Sequence, residues 1–502
     1  MRYVLAYDFG TGGIKASLFD ENGRVVASGV DEYQTYYPAQ GMHEQSPDDW
    51  WRATVRSTHR LLESLDGDVA SSIVSVGISG HSLGVVPVDK DGKLLRNRVP
   101  IWSDSRATRE AEEFFTASGT SEEEWYSKTG CGFPPGLYSV FKMMWFKKHE
   151  RVWFDKADVI LGTKDYINFK LTGVRATDNS YASGSGVYDL LNRRYSKELI
   201  EASGIEASLF PEILPSTAVL GTLTGEAARE LRLPANVQVV AGGVDNSCMA
   251  LGAGAWREGK AYNSLGSSSW IAISSSAPLL DAKYRPYVFD HVVPGQYASA
   301  LAIFSAGTSH SWLRDVLFPA EDNAYRKMDD LAESSEIGAR GLVFNPTLAG
   351  GSSLDATSAM RGGFANLDLR HTRGDMVRAV MEGVAFGLRR ALDVLRSLVA
   401  LESPLVLVGG GAKAPLWRRI YANVYGVDVV RSGIGQQAAS LGAAIVAGIG
   451  TGVWKDFGVV EDFSKSCERI APQREEKEEY EKLYKRYCSL AAHLGDWAKE
   501  FE

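Results

Sequence analysis

The sequence is poor in cysteine, with four in 502 residues: Cys131, Cys248, Cys467 and Cys488. Their spacing matches neither a zinc site nor a disulfide framework. Charge of one sign is also scarce, since a net charge of −8 argues against nucleic acid or an anionic membrane surface as the main partner. A phosphate-bearing ligand would then have to be held by local backbone N–H groups and a metal. Long apolar runs are missing too. The opening MRYVLAYDFG is broken by Asp8 and Gly10, so no secretory leader is expected. The most apolar later stretch, AASLGAAIVAGIGTGVW, is dominated by alanine and glycine. It is short for a membrane span and suits a tightly packed buried helix. Together these absences predict a protein of the reducing cytoplasm. No short-period repeat is present, which excludes solenoids. A complete Walker A loop is missing as well. GAWREGKA, residues 254–261, comes near one, but Ala261 offers magnesium no hydroxyl and leads into a strand rather than a helix.

What is present is an alternation of strands and helices over a length that calls for at least two domains. Residues 4–6 and 15–19 read as strands, Asn22-Gly23 as a hairpin turn, and 25–27 as a third strand. Residues 73–78 read as a strand and 106–115 as a helix. A second strand–turn–strand, AYNSLGSSSWIAIS, spans residues 261–274. LVLVGGGAKAPLWRRIYANVYG then reads as a buried strand, a glycine turn and a helix, with Pro415 near its start and Gly426 near its end. From Glu475 a tail helix carries Tyr480, Tyr484, Tyr487, Ala491 and Leu494 on one stripe, which is expected to dock on the body. The division expected is an N-terminal sugar-binding lobe at 1–246, a related C-terminal nucleotide-binding lobe at 247–455, and a helical extension at 456–502.

Three stretches carry chemistry. In DFGTGGIK, N–H groups of a tight turn converge on an anion, Thr11 adds a hydroxyl, and Lys15 adds a cation. Asp8 would repel bare phosphate, so its place there makes sense with magnesium or a sugar hydroxyl between them. A plain hairpin with an aspartate explains the stretch equally well when it is taken alone. In VVAGGVDNS, Asp245 and Asn246 open a helix after Gly242-Gly243. An aspartate there is ordinarily a cap, but the paired glycines would let another group approach the carboxylate. The helix dipole would keep it ionised, and it could take a proton from a hydroxyl during phosphoryl transfer. In VGISGHSLG, a strand delivers His81, Ser82 and Leu83 to the edge where α/β proteins bind ligands. IWSDSRATRE adds Trp102 and Asp104, an aromatic platform with a hydrogen-bonding group that suits a sugar. An ordinary helix start capped by Asp104 or Ser105 is the alternative.

In order along nearly the whole chain, these blocks resemble the FGGY family of carbohydrate kinases. DFGTGGIK, GMHEQSPDDWW, GFPPGLYSVFKMMWFK, TKDYINFKLTGVRATDNSYAS, GGVDNS, LGSSSW, SAGTSHSWLRD, RGGFANLDLRHTRGDMVRAVMEGVAFGLRR, VGGGAKAPLWRRIYANVYG and SLGAAIVAG carry the likeness. The resemblance implies a two-lobed α/β sugar-kinase/actin-like ATPase (ribonuclease H-like) fold. It also implies ATP-dependent phosphorylation of a small sugar or polyol with Mg²⁺, and the homodimer common in the family. By the same likeness Asp245 is the catalytic base, Asp8 faces the metal, and Gly10, Thr11 and Lys15 form the first phosphate loop. Gly266, Ser267 and Ser268 match the second loop. Gly307 and Ser311 match nucleotide contacts, and Gly410, Gly411 and Ala414 the adenosine end. Ala414 stands where many relatives carry Asn or Ser, which removes one side-chain hydrogen bond to adenine. Glycerol kinases carry Arg-Glu at Ser82-Leu83, which argues against glycerol. Xylulokinases carry Met-His, so a pentulose such as xylulose is expected first. Leu83 leaves other ketoses, deoxy-ketoses and tetritols open. An actin- or chaperone-like ATPase switch is the alternative from another class; it has no use for the GGVDNS acid or the Trp102 platform.

Overall fold

The computed structural model describes residues 1–463 and 468–501; Cys467 lies outside them. The chain forms two compact units that interleave in sequence. One comprises Met1–Arg257, Ser274–Ala298 and Gln437–Lys465, and the other Glu258–Ile273, Ser299–Gln436 and Ser466–Glu502. This differs from the contiguous division expected at 246/247 and 455/456.

In the first unit the strands Tyr3–Phe9, Gly13–Phe19 and Val25–Glu32 form the expected antiparallel meander. Gly23 turns its second hairpin with φ +72, the left-handed conformation that Asn-Gly turns supply. On its other side Tyr3–Phe9 pairs in parallel with Ile73–Gly80, and Gln238–Val240 and Gly243–Val244 pair in parallel with that strand. Buried Leu5, Tyr7, Val76, Ile78 and Val239 sit in one apolar cluster together with Trp50 and Leu61 from the helix Pro47–Glu63. The expected helix near 106–115 is Thr108–Ser118.

The alanine- and glycine-rich run is the helix Ala438–Gly450, and it explains why late sequence belongs to the first unit. A Cβ on Gly442 would lie 1.8 Å from the carbonyl oxygen of Cys248, and one on Gly252 1.8 Å from that of Ala438. A Cβ on Gly77 would lie 2.3 Å from the Ala443 oxygen. Only glycine lets this helix approach Asp245–Gly252 and the central strand so closely. No described helix is long and apolar enough to cross a membrane.

The second unit repeats the pattern. Ala261–Leu265 pairs antiparallel with Ser269–Ser275 and, on its other side, in parallel with Leu405–Val408, as Tyr3–Phe9 does with its neighbours. Val429–Arg431 and Arg469–Ile470 extend that edge. Ala261 opens a strand, which disposes of the near-Walker stretch. The tail helix Arg474–Ala498 docks on the long helix Arg373–Leu398. Arg378 donates to the Tyr480 hydroxyl at 2.8 Å, and Tyr484 donates to Asp393 at 2.8 Å.

Candidate functional site

Three parallel strand ends build the site of the first unit. In register, Asp8 and Gly243 both sit beside Ser79, one on each side of the central strand. Asp245 follows two residues later at the start of its helix. The Ser79 hydroxyl donates to Asp8 Oδ1 at 2.9 Å, and Lys15 is the cross-strand partner of Asp8. Burial raises the Asp8 carboxyl, while Ser79 and the Lys15 charge pull it down. Burial, then the charge of Asp8, push Asp245 up to about 7 despite a 2.8 Å hydrogen bond from the Asn246 N–H. Burial beside a like charge thus opposes the helix dipole, which is expected to keep Asp245 ionised.

The paired glycines pack closely in the turn before Asp245. Gly242 has φ +74 and its Cβ would meet the Ile78 oxygen at 2.1 Å; a Cβ on Gly243 would meet Val292 at 2.2 Å. Gly242 lets the turn before Asp245 press against the central strand, and Gly243 lets it press against Val292. Beneath it the Val244 N–H donates to Ser180 Oγ at 3.0 Å, and that hydroxyl donates to Asp178. Asp178 also pairs with fully buried Lys164 at 2.9 Å.

The first loop is braced from outside. Its Gly10 N–H is engaged within the turn by the Gly13 oxygen at 3.0 Å. Tyr33 donates to the Gly10 and Gly13 oxygens. Gln45 donates to the Thr11 oxygen at 2.6 Å, and the Trp102 indole to Thr11 Oγ1 at 2.9 Å. Trp50 in turn donates to Gln45 at 2.9 Å. Tyr33 and Gln45 left no pattern in the sequence that marks a support role.

His81 is buried edge-on to Trp50, with ring centroids 5.7 Å apart, and its Nδ1 lies 3.3 Å from Thr163 Oγ1. Among the described residues its Nε2 has no hydrogen-bond partner. Burial, with the Lys142 charge, depresses the ring to about 4, so it is neutral near pH 7. Ser82 is buried beside it. Leu83 adopts φ +62 and its side chain joins an apolar cluster with Val85 and Phe141. The Leu83 carbonyl accepts from Lys142 Nζ at 3.1 Å. Asp104 is fully buried, with His43 N–H and the Arg106 guanidinium on its carboxylate at 2.7 Å each. It caps no helix, since Thr108–Ser118 has Ala107 at its cap.

In the second unit a cavity of about 690 Å³ is lined by Gly266, Ser267, Gly307, Ser311, Gly410, Gly411 and Ala414. Ser268 is not among its lining residues; Ser269 is. The Gly307 N–H donates to the Gly266 oxygen at 3.0 Å, and the Ala306 N–H to the Ser267 oxygen at 2.9 Å. A Cβ on Gly307 would lie 2.5 Å from the Gly266 oxygen, so the two turns meet only because residue 307 is glycine. Pro415 opens the helix Pro415–Tyr425 with Ala414 as cap, and Gly426 closes it with φ +67. His310, Tyr325, Trp417 and Tyr421 supply an aromatic wall.

The model for the N-terminal domain of the FGGY family of carbohydrate kinases matches residues 3–252, and that for the C-terminal domain matches residues 261–451. The chain belongs to the FGGY family of carbohydrate kinases. It is 29% identical to a xylulose kinase of Bacillus subtilis (strain 168), over 99% of this chain and 98% of that one. It is 31% identical to a xylulose kinase of Staphylococcus epidermidis (strain ATCC 12228 / FDA PCI 1200), over 97% and 96%. A gluconate kinase from Lactobacillus acidophilus superposes with a TM-score of 0.90 at 26% identity, covering 100% of both chains. This FGGY chain therefore has the two-lobed sugar-kinase/actin-like ATPase fold, and its activity is that of a phosphotransferase acting on a sugar hydroxyl.

Proposed function

We propose that the chain transfers the γ-phosphoryl group of ATP to a hydroxyl of a pentulose, with xylulose as the first choice. The observation that carries this reading is Asp245, poised near 7 by burial and by Asp8 at the ends of parallel strands. A base with that affinity accepts the hydroxyl proton as the new P–O bond forms, which is typically worth ~10²–10⁴-fold. Asn246, His81, Ser82 and Trp102 would orient the sugar. Gly10, Thr11 and Lys15 would contact phosphate, as would Gly266, Ser267 and Ser268, with Gly307, Ser311, Gly410, Gly411 and Ala414 around the rest of the nucleotide. Leu83 and Asp104 support this arrangement from below through Lys142 and Arg106.

Magnesium fits the donor set. Among the described residues no group of three or more His, Cys, Asp or Glu could hold a metal alone. Asp8 offers one hard oxygen donor, which suits an ion that arrives with nucleotide phosphates and keeps its waters. Bound there, Mg²⁺ would neutralise phosphate charge.

The relatives named as xylulose kinases favour a ketose. A sugar acid such as gluconate is the second reading, and it would need a cation. Lys142 is engaged by the carbonyls of Leu83 and Ile101 at 3.1 and 2.8 Å, and Arg106 by Asp104 and Glu44 at 2.7 Å each. That arrangement favours a neutral sugar. The test is ADP release measured with pentuloses, hexuloses, deoxy-ketoses, tetritols and gluconate, compared by kcat/KM. Xylulose should lead. Hydrolysis independent of every sugar would instead support an ATPase switch.

A further inference from the structure

The cavity of the second unit contains two buried polar atoms without partners. Among the described residues, Asp329 Oδ1 and His310 Nε2 accept or donate no hydrogen bond, and both residues line the cavity. An unpaired buried polar atom is costly and rare in native proteins unless something else satisfies it. Tyr325 and Asp329 are four residues apart on the helix Ala324–Glu333, so they share one face. His310 stacks on Tyr325 with centroids 5.4 Å apart and meets Trp417 edge-on at 5.5 Å. The two orphaned atoms therefore belong to the aromatic wall rather than to the glycine turns. Aromatic faces are where a flat heterocycle packs.

Two hydroxyls beside the wall are already engaged. The Tyr325 hydroxyl accepts from Arg314 at 2.8 Å, and Ser311 donates to the Thr308 oxygen at 3.1 Å. Ala414 has no polar side chain to offer a base. His310 is held neutral because burial, with the Arg314 charge, depresses it to about 4. Burial and neighbouring Asp330 raise Asp329 to about 6, which still leaves it ionised, an acceptor only, above neutral pH.

We propose that Asp329, with His310, reads the nucleobase as adenine: the Asp329 carboxylate accepts from the exocyclic 6-amine, and His310 Nε2–H donates to a ring nitrogen beside it. This rests on the reading of the cavity as the nucleotide site. A 6-oxo purine would place an acceptor against the acceptor-only carboxylate, so the pair selects adenine over hypoxanthine in a way that backbone groups alone would not.

The test compares ATP, ITP and 2′-deoxy-ATP as phosphoryl donors for the full-length enzyme and for Asp329→Asn, with calorimetric ATP binding to each. The parent should favour ATP over ITP in kcat/KM by roughly 10–100-fold, the range expected for one hydrogen bond to a charged group. Asp329→Asn, whose amide can face the 6-oxo group, should narrow that ratio about tenfold. Simple damage to the helix would lower ATP and ITP together and leave the ratio where it was. An unchanged ratio in a variant that still binds ATP overturns the role of Asp329 alone. A variant that changes only the ATP to 2′-deoxy-ATP ratio overturns it in favour of a ribose contact. Absence of ATP binding to the parent overturns the nucleotide reading itself.

Discussion

The indole N–H of Trp102 donates to the hydroxyl oxygen of Thr11 at 2.9 Å. A residue expected beneath a sugar is thereby tied to the tip of the turn expected to hold phosphate. Because Thr11 accepts this bond, its own hydroxyl proton is left to donate to the phosphate proposed there.

Trp102→Phe keeps the ring and removes the donor. The KM values for ATP and for the sugar should both rise, by about 3–10-fold, the range of one neutral hydrogen bond. In a double-mutant cycle with Thr11→Ala the effects should be less than additive, because both changes remove the same bond. Full additivity would show that the bond does not couple the two substrates.

Asp245 ties pH to both rate and stability. Its carboxyl stands at about 7 against a usual 3.8. In the unfolded chain it ionises first, so between roughly pH 4 and 7 the folded chain holds the extra proton and loses stability as pH rises. Asp245→Asn removes that penalty. At pH 8 its Tm should exceed the parent's by about 2–4 °C, while turnover falls by at least ~10²-fold. A Tm at or below the parent's, or unchanged turnover, would contradict this account.

If Asp245 is the base proposed, it should also set the acid limb of kcat/KM for the sugar. The parent should lose activity below about 7, with a slope of one proton. Asp8 contributes to that raised value, so the residual activity of Asp8→Asn should show its inflection at lower pH. An inflection that stays in place would mean burial acts alone.

Gly442→Ala places a methyl 1.8 Å from the backbone oxygen of Cys248, which cannot rotate away. Urea unfolding should report a loss of about 2–3 kcal/mol. Gly225→Ala, where nothing lies within 4 Å of the new carbon, is the matched control and should be neutral or slightly stabilising. Equal behaviour of the two variants would show that the helix contact is looser than described.

Much of the fold was legible because its signals are local. Asn22-Gly23 fixed a hairpin, Pro415 and Gly426 bounded a helix, and the stripe through Tyr480 and Tyr487 foretold a docked tail. The interleaving of the units was not legible, because the return of Ala438–Gly450 to the first unit depends on glycine contacts far apart in sequence. Asp329 left no trace, and His310 lies inside the SAGTSHSWLRD block without a role of its own being legible there. Each lies on a helix that reads as ordinary, and only packing brings them to one wall.

By itself the sequence determined which residue types stand at the strand ends and turns, because backbone geometry and short-range spacing follow from chain covalence. Tertiary structure alone decided what those residues are chemically. Burial beside Asp8 raises the Asp245 carboxyl to about 7, and the core closes over Asp104 and Leu83, both expected as sugar contacts. A side chain's proton affinity and its partners depend on the medium around it, and that medium is assembled from parts of the chain with no local relation to one another.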